Sequence, residues 1–384
     1  MALDIFQQVF SLSLAANWVN VVDGNQASLQ RAFQLALASE VPLIGAGWQL
    51  VWGPVVLKTA ADNDQTGPEN SCYIAFHPRL RFEDGSLHPT YVVAVAGTPK
   101  TSLNVWKKNL AVHTVTDIRA WVAGGVRNCP EVVPKRDIKL GGAYIASGTV
   151  KTVHLLLTTA PPKGAASAGT TLLDFITANI GKRASPRFIA TGYSLGGAVA
   201  PSLALSLVLA GYIPPDHTLT YPIAGPSPGS SGLTDLFVQI FPPRYCGRAS
   251  YQGWNLNLVN KLDVVPQAWC ISQLVSPEQN LGNVPAIYGK PTMNLVRHAT
   301  RLAKSWSAIS CVLYKPLPGR YFSGTRPAYT PNKLTEFMKI ARQQHEEAYF
   351  QEVGVLYRCS LGLRSIMKPT DKSYVPFTDF EGIM

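Results

Sequence analysis

The chain predicts an α/β architecture, with a mostly parallel central sheet and helices on both faces. Three observations point there. Short apolar runs alternate with helix-forming runs along its 384 residues, the pattern left by parallel strands joined through helical crossovers. A composition of 46% hydrophobic and 15% charged residues suits a chain that buries a large core. A serine between two glycines, at 192–196, joins a short apolar run at 188–190 to a long one at 198–209, as a tight turn between strand and helix would. No Gly/Ser/Pro-rich linker, charge block or internal repeat divides the chain, so a single domain over 1–384 is expected.

The elements follow in order. A helix is expected near Ala27–Ala38. The uncharged stretch Val41–Leu57 is interrupted by Gly45, Gly47, Gly53 and Pro54, which makes it a poor membrane-spanning helix. Its Trp48 and Trp52 read as core residues, with the lining of an apolar cleft as the alternative. Strands are expected at Ser71–Phe76, Tyr91–Ala96, Val150–Leu157, Arg187–Thr191, Thr218–Ile223 and Leu256–Leu262. Further helices are expected near Asn104–Asn109, Leu172–Ile180, Ala198–Leu209 and Lys333–Glu352. The last opens with Thr330-Pro331 and sets Leu334, Met338, Ala341, His345 and Ala348 on one face. Leu195–Pro214 is long enough to span a bilayer, but it begins at the serine turn and reads as a buried central helix, so no transmembrane segment is expected.

Net charge is +11, which favours anionic partners in general. The basic residues are scattered and not interleaved with aromatics, which argues against nucleic acid. Lys290–Lys304, with Arg297 and Arg301, is the densest basic stretch without acids; it reads as a solvated helix face or, more specifically, a contact with anionic lipid. Six widely spaced cysteines contain no C-x-x-C pair, so no zinc or other metal site and no cofactor are expected, and disulfides and free thiols stay equally open. The N-terminus lacks a cationic leader and a clear cleavage site, which leaves the compartment undecided.

Chemistry concentrates at Gly192-Tyr193-Ser194-Leu195-Gly196, the G-x-S-x-G pattern of a nucleophile elbow in an α/β-hydrolase fold. Gly192 and Gly196 are needed there because a Cβ would collide with neighbouring backbone. Serine needs a base within hydrogen-bond reach and an acid to orient that base, and in such folds the partners follow in the order Ser, Asp/Glu, His. Asp263, at the end of the Leu256–Leu262 run, is the favoured acid over Asp235, which reads as opening a short helix. Of the histidines that follow, His217 precedes Asp263, and His298 stands among arginines that disfavour an imidazolium. His345 lies on an apolar helix face, where a core role competes with a catalytic one. Oxyanion donors are expected from the Leu195 N–H and from the loop after Tyr91–Ala96.

Thr191-Gly-Tyr-Ser-Leu-Gly-Gly-Ala-Val-Ala200 resembles the elbow of the class 3 lipases, the fungal-type triacylglycerol lipase family, with Tyr193 in the usual place of a histidine. Gly225-Pro-Ser-Pro-Gly229 is similar to the family's F-G-x-P-x-x-G turn, with Ala224 replacing the aromatic, and Asn260-Lys-Leu-Asp-Val-Val-Pro266 to its V-N-x-x-D-x-V-P segment. Val93-Ala-Val-Ala-Gly-Thr98 resembles the end of its oxyanion strand, with Ala96 where an Arg is common. The resemblance implies Ser194, Asp263 and His345 as the triad, His345 because Gln344–Tyr349 resembles the family's catalytic-histidine segment, and Thr98 as the second oxyanion donor. It implies hydrolysis of carboxylic esters, commonly acylglycerols, without cofactor or metal. It also implies a lid near Lys100–Trp121, where a swinging lipid-facing segment and a plainly packed helix are both compatible with the residues. On this reading 85–355 is the catalytic core, 1–84 an unmatched N-terminal extension, 356–384 a tail, and the long interval between Asp263 and His345 an insertion. The expected function is that of a lipase or carboxylesterase acting on an ester or lipid substrate, with possible peripheral contact at a lipid interface. The alternatives are a carboxylesterase for short or aromatic esters and a catalytically silent lipid-binding protein.

Overall fold

A computed structural model describes residues 3–97, 111–180 and 186–355. Seven strands form the main sheet in sequential order: β1 (Gln49–Leu57), β2 (Asn70–Arg81), β3 (Leu87–Val95), β4 (Arg187–Tyr193), β5 (Thr218–Ile223), β6 (Asn257–Asn260) and β7 (Gly319–Phe322). The first three pair antiparallel; every pairing from β3 to β7 is parallel. This is the α/β-hydrolase architecture expected, with an antiparallel edge.

Side-chain alternation divides the core in two. On β3, Tyr91, Val93 and Val95 enter one apolar cluster while Val92 and Ala94 enter the other. The first face is covered by α3 (Ser147–Thr158), α4 (Leu172–Asn179) and α5 (Gly196–Leu209), through residues such as Val153, Leu156, Leu173, Val199 and Leu203. The second is covered by helices preceding the sheet, α1 (Ile5–Ala15) and α2 (Gln26–Ile44), through Phe6, Val9, Phe10, Phe33 and Leu37. Asp4 caps α1 by accepting from the Gln7 N–H while the Gln7 side chain accepts from the Asp4 N–H. Gln7 Nε2 also donates to the Val353 carbonyl at 2.9 Å, and Phe10 meets Phe350 edge-on at 6.2 Å, tying the two ends of the described chain together.

Two expectations change, and one stretch that had no assigned element forms a strand. Val150–Leu157 lies inside helix α3 instead of forming a strand: Val150, Val153, Leu156 and Leu157 are all buried, the spacing of a helix face. Strand β1 occupies the Gly- and Pro-broken stretch at the sheet edge, with register shifts around Trp52 that accommodate Gly53 and Pro54. The helix expected over Lys333–Glu352 breaks at Glu346 into α8 (Leu334–His345) and α9 (Glu347–Val353).

Trp48 and Trp52 are buried core residues, with Trp52 Nε1 donating to the Thr170 carbonyl at 2.8 Å. Of the Lys100–Trp121 segment, residues 111–121 are described, and Val112, Val115, Ile118 and Trp121 pack into the core; the helix expected at Asn104–Asn109 lies outside the described residues, as does the 356–384 tail. Cys72, Cys129, Cys246, Cys270 and Cys311 are free thiols. No helix among the described residues is long and apolar enough to cross a membrane.

Candidate active site

Strand β4 runs through the middle of the sheet and ends at Tyr193; helix α5 begins at Gly196. Ser194 takes φ +59° between them, a left-handed conformation that costs a non-glycine residue roughly 1–3 kcal/mol. The turn is held by two backbone bonds, Ser194 N–H to the Ile223 carbonyl and Gly197 N–H to the Ser194 carbonyl, each 2.9 Å. A Cβ on Gly192 would lie 2.2 Å from the Gly196 oxygen, and one on Gly196 would lie 2.3 Å from the Val95 oxygen. Both glycines are therefore required by close approach of backbone to backbone. Leu195 follows Ser194 at the head of α5, where the helix presents free N–H groups and partial positive charge.

The loop after β3 presses on the same turn. A Cβ on Gly97 would sit 2.8 Å from the Tyr193 carbonyl and 3.0 Å from Ser194 Cβ. Gly97 is clamped by two side chains from the N-terminal segment: its N–H donates to Asn17 Oδ1 at 2.7 Å and its carbonyl accepts from Asn20 Nδ2 at 3.0 Å. Thr98, the next residue, lies outside the described residues.

Asp263 follows β6, fully buried. Its Oδ1 accepts from the Val265 N–H at 2.9 Å, and its Oδ2 faces His345 Nδ1 at 2.8 Å and accepts from the Tyr349 hydroxyl at 2.9 Å. Tyr349 in turn accepts from the Asn260 N–H at 3.0 Å. The Asn260 amide donates to both the Gln344 backbone carbonyl and its side-chain oxygen, each at 2.8 Å, which binds the end of β6 to the end of α8. Each oxygen of a buried carboxylate is thus matched by a donor, as burial of that charge demands. Tyr193 completes the enclosure, its ring centroid 5.0 Å from that of His345 and 5.7 Å from that of Tyr349. The elbow and the His–Asp pair meet through this aromatic contact.

Burial opposes protonation of His345, but the charge and hydrogen bond of Asp263, with a contribution from Glu346, outweigh it and raise the imidazole above its ordinary 6.5. Burial, followed by the charge of Asp263, drives the Tyr193 and Tyr349 hydroxyls well upward, so Tyr349 remains a neutral donor. With Nδ1 facing the carboxylate, Nε2 is the ring nitrogen left to take up a proton.

The rival residues stand elsewhere. Asp235, on α6 (Ser231–Ile240), pairs with Lys315 at 2.8 Å on the surface, His217 lies 3.7 Å from Asp216, and His298 is exposed on α7 (Asn294–Ile309). Among the described residues no group of His, Cys, Asp and Glu is arranged to hold a metal. Asn17 and Asn20 carried no sequence signal, because their contacts join segments far apart in the chain. Tyr349 appeared only as part of a resemblance.

Residues 92–272 match the profile of the family described as Lipase (class 3). The crystal structure of M37 lipase superposes with a TM-score of 0.67 at 20% identity, covering 94% of this chain and 95% of that one, a likeness of fold. Non-glycosylated Yarrowia lipolytica LIP2 lipase is also similar, at TM-score 0.41 and 14% identity over 67% of this chain and 73% of that one. No curated protein matches the chain by sequence.

Proposed function

We propose that the chain is a lipase-type ester hydrolase of the class 3 lipase family, whose profile matches residues 92–272, and that it cleaves carboxylic esters through a Ser194–His345–Asp263 triad and an acyl-enzyme. The observation that carries this reading is the 2.8 Å His345–Asp263 contact beneath Tyr193, the residue that precedes Ser194. Ser194 Oγ attacks the ester carbonyl carbon while His345 Nε2 takes its proton; Asp263 holds the ring in the required tautomer and stabilises the imidazolium. The developing oxyanion is met by the Leu195 N–H and, by family resemblance, Thr98. Collapse expels the alcohol, which receives the proton from His345 and leaves Ser194 acylated. Water then attacks the acyl carbon, yields a proton to His345 and releases the carboxylic acid, with the proton returning to Ser194. Residues 1–84 belong to the same working unit on this reading, because Asn17 and Asn20 clamp the loop that leads to the second oxyanion donor.

The test is hydrolysis of p-nitrophenyl esters from acetate to palmitate. Turnover across the series with a preference for long acyl chains is expected. A profile confined to acetate and butyrate would replace lipase with short-chain esterase, and no turnover by folded protein would leave the silent lipid-binding reading. The pH profile gives a second check. The base must be neutral to accept the serine proton, and its raised pKa means that it stays protonated to higher pH than an ordinary histidine. The acid limb of kcat/KM on a soluble ester should therefore have its midpoint above 6.5. A midpoint below that value would contradict the Asp263–His345 coupling.

A further inference from the structure

We propose that Asn17 and Asn20 are positioning residues for the oxyanion-binding loop, two side-chain amides of opposite polarity that set the Gly97 backbone against the nucleophile elbow. The inference rests on the ester-cleavage reading given above. Both asparagines belong to the chain that leaves α1. Asn17 precedes one turn of 3₁₀ helix, Trp18–Val21, and the Asn20 N–H donates to the Asn17 carbonyl at 3.0 Å. Residues three apart eclipse each other in that winding, so the two amides project to the same side. What they meet there is Gly97, two residues past the end of β3.

The two amides are not interchangeable. Asn17 Oδ1 accepts from the Gly97 N–H at 2.7 Å and from Asn20 Nδ2 at 3.1 Å, while Asn17 Nδ2 donates to the Ser13 carbonyl at 2.9 Å. Asn20, which is buried, donates from Nδ2 both to that Oδ1 and to the Gly97 carbonyl at 3.0 Å. Turning the Asn20 amide over would set its oxygen against two other oxygens, so its partners fix its orientation. Gly97 thus gives its N–H and its carbonyl to the pair, and neither is left for substrate. A Cβ on Gly97 would lie 3.2 Å from Asn17 Oδ1, 2.8 Å from the Tyr193 carbonyl oxygen and 3.0 Å from Ser194 Cβ, so the residue is held between the pair and the elbow. The clamp also sets a direction. A trans peptide is planar, with its N–H opposed to its C=O. Holding the Gly97 carbonyl on the side of the asparagines therefore aims the N–H of the same peptide unit, which belongs to the second oxyanion donor, the other way. A donor aimed before the substrate arrives needs no reorganisation as the oxyanion forms.

The test compares kcat and KM on p-nitrophenyl butyrate, together with thermal midpoints, for the parent chain, Ser194→Ala and variants of the clamp. Asn20→Ala should lower kcat roughly ten- to a hundredfold with KM within about twofold of the parent. Asn20→Asp, which turns an oxygen toward two others, should fall further. Asn17→Ala removes the acceptor instead and reads the same loss of kcat if Asn20→Ala does not fold. Joining Asn17→Ala to Asn20→Ala should add little to the larger single loss, because both act on one residue's backbone. Tyr73→Phe is the control. The Tyr73 hydroxyl donates to the Leu12 carbonyl at 2.7 Å and ties α1 to β2 away from Gly97, so its removal should lower the thermal midpoint and leave kcat within about twofold. Parent activity that depends on Ser194 but is unchanged in Asn17→Ala and Asn20→Ala overturns the clamp and leaves the triad standing. An equal loss of kcat in Tyr73→Phe overturns it too, since the effect would then be one of general stability. Activity that survives in Ser194→Ala, or no turnover by the folded parent, removes the triad reading and this inference with it.

Discussion

Ser194→Ala should lower ester turnover by about 10⁵- to 10⁶-fold without changing the fold. The side chain lost makes no bond that holds the elbow: the turn rests on backbone contacts of Ser194 with Ile223 and Gly197. His345→Ala should fall about as far, because a base and a nucleophile that act as one unit lose nearly everything when either is removed. Asp263→Asn should cost about 10⁴-fold, with a loss of stability as well, since the carboxylate receives the Tyr349 hydroxyl and the Val265 N–H in a buried setting. His298→Ala, on the exposed face of α7, should retain full turnover of a soluble ester. All four variants are compared by kcat/KM on p-nitrophenyl butyrate together with circular dichroism. Activity surviving in Ser194→Ala would exclude an acyl-enzyme on this serine, and loss in His298→Ala with retention in His345→Ala would reassign the base.

Gly196→Ala should be strongly destabilising. The added Cβ would lie 2.3 Å from the Val95 carbonyl oxygen and 2.8 Å from that of Ala96. Both obstacles are backbone, so relief requires α5 to move off β3 and carry the elbow with it. A cost of at least about 3 kcal/mol is expected, read as a lowered urea midpoint. Gly124→Ala is the control: its φ of −74° suits alanine and its Cβ would come no closer than 3.4 Å to any atom. That variant should stay within about 0.5 kcal/mol of the parent. An unchanged midpoint for Gly196→Ala would mean that helix and sheet are not packed as tightly as described.

The sheet was legible where pattern and position agreed. Thr218–Ile223 matches its expected strand in full, and Arg187–Tyr193 extends its by two residues. The pattern failed where residue type and periodicity disagreed. Val150, Thr152 and Val153 favour a strand by propensity, yet their segment buries Val150, Val153 and Leu157 along one helical face, and packing on the sheet decided the outcome. Strand β1 escaped notice because Gly53 and Pro54 normally punctuate, and only an edge position with register shifts admits them. At the site, Ser194, Asp263 and His345 each sit in a local motif. Asn17 and Asn20 do not: two asparagines in a short turn mean nothing until Gly97, remote in sequence, is placed beside them.

The bond between Gln7 and Val353 has a meaning for synthesis. The two residues are 346 positions apart, and α9, with Phe350 and Val353, is what covers the outer part of α1. On a ribosome moving at about 5–20 residues per second, α1 waits roughly 20–70 s for that cover. Asp263 and the histidine that faces it are likewise separated by 82 positions and are joined only at the end. On the triad proposed above, the nascent chain therefore carries its serine turn for a long time before its base is in place. Exposed aromatic surface on α1 during that interval is where a chaperone would be engaged, and hydrolytic competence is expected only once the C-terminal helices have closed against the first one.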